Sequence, residues 1–182
     1  MAQGGTVRTG AAGEFYVAAR MSELGWSVGI LPPGTAMHDL LATKPDASER
    51  PIAVQVKASV GGRHRGFPVS DPPPALADHE WYVLVDLDPG QREPPKMYCV
   101  PAYLMDVFAW ALWQRKARTA PQIGIRFQDF WAYEDRFDLL DRPARKVEWD
   151  LVGDFWTRWL VAADQDVLGD CPRSRQELPV RS

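Results

Sequence analysis

The eight residues IAVQVKAS at 52–59 constrain this chain more than any other stretch. Apolar and polar positions alternate. Ile52, Val54 and Val56 fall on one side, and Ala53, Gln55 and Lys57 on the other, the period of two that belongs to an extended strand and not to a helix. One side of such a strand belongs against a core. The other sets an amide and an ammonium two residues apart, hence side by side on one face. A solvated sheet face accounts for that pair, and so does a site.

The flanking segments give the strand its partners. Residues 11–24, AAGEFYVAARMSEL, have helix-forming composition, with Val17, Met21 and Leu24 in one stripe, Thr9 as the expected cap and Gly25 as the stop. The sequence predicts strands at 26–31, 37–42 and 52–58, the second and third joined as a hairpin across KPDASERP. Residues 59–79 are rich in glycine and proline and read as a long loop, the kind that more often carries function than not. WYVLVDL at 81–87 reads as a central strand paired with KMYCVPA at 96–102. Helices are expected at 103–118 and 149–164, and a short strand at 123–130. This order predicts an α/β fold, helices on a mixed sheet, with a core at 1–102, an α-rich extension at 103–168 and a polar tail at 169–182.

Composition narrows the function classes. Hydrophobic residues are 46% and charged residues 25% of 182, an ordinary globular balance. No apolar run reaches membrane-spanning length, and the N-terminus lacks a secretory pattern, so cytoplasm is the expected location and no membrane partner is expected. Cys99 and Cys171 lack zinc-type spacing. A net charge of −3 argues against coating nucleic acid over the whole surface, but leaves room for a local basic groove. The pairs Trp110/Trp113 and Trp156/Trp159 are spaced for core packing ahead of base stacking.

Four residues converge in this reading. Glu14 lies in the first turn of the first helix, Asp39 on the second strand, and Gln55 and Lys57 on one face of the third. Carboxylates with a further oxygen ligand and a lysine suit magnesium-assisted phosphodiester hydrolysis. Magnesium takes hard oxygen donors from few protein groups, and an ammonium can hold water or meet charge developing on phosphorus. KASVGGRHR at 57–65 leaves this site with basic side chains and no acid, which puts Arg63, His64 and Arg65 in position to contact phosphates.

The run GEFYVAARMSELGWSV, then HDLLA, then IAVQVKAS resembles the core of the PD-(D/E)XK nuclease superfamily, most nearly its small prokaryotic members of the Holliday-junction-resolvase and Mrr-type kinds. The resemblance covers residues 10–100. It implies a restriction-endonuclease-like fold and Mg2+ (or Mn2+) held by Glu14, Asp39, Gln55 and the backbone carbonyl of Val56. Lys57 would be catalytic, and the substrate would be nucleic acid, with DNA the expected form. Two positions depart from the pattern: His38 stands before Asp39 in place of proline, and Gln55 replaces the usual acid. Each residue also has a plain structural reading: Glu14 as a helix-terminus charge, Asp39 as a turn acid, Gln55 and Lys57 as a solvated face, His38 as a surface histidine. The competing function is an inactive nuclease fold that binds nucleic acid or protein. The oligomeric state stays open between monomer and homodimer.

Overall fold

The computed structural model describes residues 3–32, 38–45, 51–60, 66–69, 79–87, 93–102, 104–105 and 123–144. They form a mixed α/β arrangement of one long helix on a five-stranded sheet. Helix α1 spans Gln3–Glu23, longer at its start than the sequence predicts. Thr9 is therefore inside the helix and does not cap it. The stop falls where expected. Gly25 takes φ +88. The Trp26 amide donates to the Met21 carbonyl at 3.0 Å, and the Gly25 amide to the Ser22 carbonyl at 3.0 Å. This double closure needs a left-handed residue, which glycine adopts without Cβ strain. It also turns Trp26 inward beside Met21, both buried, while Leu24 is left exposed at the rim of a cleft.

Strands β1 (Ser27–Ile30), β2 (Leu40–Thr43) and β3 (Ile52–Ser59) form an antiparallel meander. After β4 (Gly66–Val69), strand β5 (Glu80–Asp86) returns parallel to β3, and β6 (Lys96–Pro101) pairs antiparallel with β5. The sheet order is β1-β2-β3-β5-β6. A central strand flanked on both sides should be apolar, and β5 is, with Trp81, Val83, Leu84 and Val85 fully buried.

Register sorts the two faces. Val54, Val56 and Ala58 share the helix face with Trp81, Val83 and Val85. Helix α1 seats there through Gly13: a Cβ at that position would overlap Ala58 Cβ and lie 3.4 Å from Val56 Cγ1. Ala53, Gln55, Lys57 and Ser59 share the far face with Glu80, Tyr82, Leu84 and Asp86.

Two parts depart from the sequence reading. Within the predicted loop 59–79, residues 66–69 form a strand, and its partner is β7 (Ile123–Arg126), in a separate two-stranded sheet. In the predicted α-rich extension, the described stretch after β7 continues as 3-10 segments, Phe127–Tyr133, broken at Phe130, and Phe137–Asp141. Phe127 stacks on Tyr98 with ring centroids 5.7 Å apart, and Glu134 bridges to Tyr98 along the edge of β6. Arg20 of α1 then lies 5.9 Å above the Phe137 ring. Lys44, just beyond β2, bonds both Asp141 oxygens at 3.0 Å. These residues close the core that α1 and the sheet begin. The predicted helix 149–164, all of 103–118 except residues 104–105, and the tail lie outside the described residues.

Candidate functional site

The meander builds the site because β3 outruns β2. Pairing ends at Leu40 opposite Val54, with the Asp39 amide donating to the Val54 carbonyl at 2.9 Å. One step further, Asp39 stands opposite Gln55, and the two side chains share the far face. Gln55 Nε2 donates to Asp39 Oδ2 at 2.7 Å, and the Val56 amide donates to the same oxygen at 2.7 Å. In a strand, the N–H and C=O of one residue point to the same side. The Val56 carbonyl therefore faces the gap that β2 leaves, as does its amide. Lys57, two residues beyond Gln55, lies on the face of Asp39 and Gln55. It is half-buried and has no ion-pair partner among the described residues.

Glu14 reaches the group from the other layer. Gly13 presses α1 onto β3, and Glu14 follows it on the helix surface, half-buried. Its carboxyl pKa is raised above the ordinary glutamate value, first by burial and then by the negative charge of Asp39. The second cause brings the two carboxylates within electrostatic reach. Glu14 is not in a first turn, as the sequence suggested. It lies eleven residues inside a helix that begins at Gln3, so complementing the helix N-terminus is not its role.

The sequence-predicted residues thus divide. Asp39, Gln55 and Lys57 share the far sheet face where β2 ends, Glu14 stands in the helix layer and is tied to them only through the charge of Asp39, and Arg63, His64 and Arg65 lie outside the described residues. His38 is no bare surface histidine. Its Nε2 lies 3.8 Å from Glu80 Oε1, both side chains largely buried. Glu80 Oε2 is buried without a hydrogen-bond partner. Sequence reasoning passed over Glu80 and the fully buried Asp86, both on the far face of β5. Their signal was the alternation in EWYVLVD, where acids occupy both ends of an apolar strand.

The donor set suits a hard cation in kind. The charge of Asp39 adds to burial in raising the Glu14 carboxyl, a strain that a positive ion would relieve, and the Gln55 amide oxygen and Val56 carbonyl add neutral oxygens. It is lean in charge. Among the described residues no three His, Cys, Asp or Glu side chains cluster as metal ligands. Gln55 instead satisfies Asp39 with a hydrogen bond. A protein-family model, a curated protein or a solved structure matching this chain was not found.

Proposed function

We propose that this protein is a metal-dependent nuclease of PD-(D/E)XK type that hydrolyses phosphodiester bonds in nucleic acid, with DNA the expected substrate. The observation that carries this reading is the convergence of Asp39, Gln55 and Lys57 on one sheet face with the Glu14 carboxylate within electrostatic reach. The order of helix, antiparallel meander and returning parallel strand supports a restriction-endonuclease-like core.

Asp39, Glu14, the Gln55 amide oxygen and the Val56 carbonyl would hold magnesium or manganese. The ion, when bound, supplies a water of lowered pKa and neutralises charge on the phosphoryl oxygens. The chain's own contributions are positional. Asp39 is fixed by two N–H donors. Lys57 orients the water whose oxygen bonds to phosphorus as the P–O bond to the leaving sugar oxygen breaks, and its charge meets the charge growing there.

The competing reading is a nuclease fold kept as a nucleic-acid-binding or protein-interaction module. The Gln55–Asp39 hydrogen bond favours it, because that bond completes the site without a cation. A panel of labelled duplex, junction and single-stranded DNAs, incubated with magnesium or manganese, separates the two. The nuclease reading expects cleavage that disappears in Lys57→Ala with melting temperature unchanged. Absence of cleavage by the parent on every substrate, or full activity in Lys57→Ala, refutes it.

A further inference from the structure

Gln55 brings an oxygen but no charge to the candidate cation site, and a carboxylate on a neighbouring strand is short of positive charge. Glu80 opens β5 on the far sheet face. Its register partner is Ala53, and Gln55, two residues further along β3, pairs with Tyr82 on the same face. Glu23, Glu134, Asp138 and Asp141 each face a lysine or arginine. Among the described residues Glu80 faces only His38, at 3.8 Å, and histidine carries a charge only when protonated. Glu80 Oε2 is sealed from solvent and has no hydrogen-bond donor. A carboxylate held in this way is costly to keep unless positive charge comes to its other oxygen.

That other oxygen, Oε1, lies on the side of the site. It is the atom that approaches His38, and His38 is joined to Asp39. The contact spans β3, the strand that carries Gln55. Ala53, beside Glu80 on that strand, offers only a methyl group between them. Asp39 stands opposite Gln55 and Glu80 opposite Ala53, so the two acids are two strands and two residues apart, about 12 Å between Cα atoms. His38, Asp39 and Glu80 do not close on a common point as direct metal ligands. Magnesium, however, keeps several of its waters where few protein groups bind it, and a carboxylate one water away still orients the ion and stabilises its charge.

We propose that Glu80 is a positioning residue for the divalent cation at Asp39. Its Oε1 accepts a hydrogen bond from a water on that ion and supplies, from β5, the negative charge that Gln55 does not bring. The inference rests on the cation site proposed above and adds one residue to it.

Manganese binding to the full chain without DNA tests it, read from the paramagnetic resonance signal of the free ion. Glu80→Gln keeps the side-chain shape and removes the charge, so manganese affinity should fall about 10- to 100-fold, the usual cost of removing a group that orients a metal's ligands. The same change in a Gln55→Glu background should cost much less, because a carboxylate beside Asp39 already supplies the charge. Unchanged affinity in Glu80→Gln overturns the proposal. An equal loss in both backgrounds marks a defect of the fold and overturns it as well. So does manganese that Asp39→Ala binds as tightly as the parent, or a parent that binds none. Cleavage is read separately: DNA left intact by the manganese-loaded parent defeats the nuclease reading, while the affinities still decide the role of Glu80.

Discussion

Replacing Gln55 with glutamate puts the charge question to a direct test. In the parent, the Gln55 amide donates to Asp39 Oδ2 at 2.7 Å. Glutamate at that position cannot donate when ionised, so one hydrogen bond to a charged acceptor disappears, worth about 1.5–3 kcal/mol. It also sets a second carboxylate beside the first. Two charges about 4 Å apart near a protein surface repel by roughly 4 kcal/mol at most, and the half-exposed site and a side chain free to turn aside reduce this to about 1 kcal/mol. The cation-free variant should therefore be destabilised by about 2–4 kcal/mol, which lowers the melting temperature of a chain this size by roughly 5–12 °C. A divalent cation reverses the sign, because the added charge becomes a ligand. At one hundred times its dissociation constant it returns about 2.7 kcal/mol. The assay is thermal melting followed by circular dichroism, with chelator and with saturating magnesium. The expected result is a wide gap between variant and parent in chelator that closes in magnesium, while the parent moves little. Equal melting temperatures in chelator, or an equal magnesium shift for both proteins, would refute the argument that Gln55 stands in for a cation at Asp39.

Three further outcomes follow from the same geometry. Burial and Asp39 raise the Glu14 pKa, so its stabilising contribution is complete below the ordinary glutamate value and fades as pH rises through the raised folded value. Glu14→Gln should flatten cation-free stability across that window and leave the variant more stable than the parent at neutral pH, as read from urea midpoints at successive pH. Gly13→Ala should cost about 1–3 kcal/mol because its methyl would overlap Ala58, and Ala58→Gly in the same chain should recover part of that stability in denaturant melts. Arg63→Ala and Arg65→Ala should weaken DNA binding and reduce its salt slope by about one unit for each phosphate no longer neutralised, measured by anisotropy at several salt concentrations.

The meander and its site were legible because they are local. Period-two alternation, Gly25 and the short connection between β2 and β3 together determine which residues face Asp39. The rest depended on distant partners. GFPV at 66–69 carries a proline and follows two glycines close by, and becomes a strand only because IGIR at 123–126 pairs with it. Gly4, Gly5 and Gly10 make the start of α1 read as loop, yet the helix runs through them. In FQDFWAY, the buried Phe127, Phe130 and Tyr133 recur every third residue, the spacing of a 3-10 turn and not of a strand, and that signal was available. The approach of Glu14 to Asp39 could not be read from spacing, since it depends on how closely Gly13 lets the helix come to the sheet.

The ties between residues 127–144 and the first half of the chain bear on how the protein comes off the ribosome. Lys44 and Asp141 are 97 residues apart in sequence, and Phe127, Phe137 and Leu139 lie in the same core as Trp26 and Met21. While only the first hundred residues have emerged, α1 and the five strands can form, but the Tyr98 and Trp26 surfaces wait uncovered. Pairings of such long sequence separation form late and slowly. During that interval the nascent chain displays apolar surface that chaperones recognise, and a pause in translation shortly before residue 127 would lengthen the exposure.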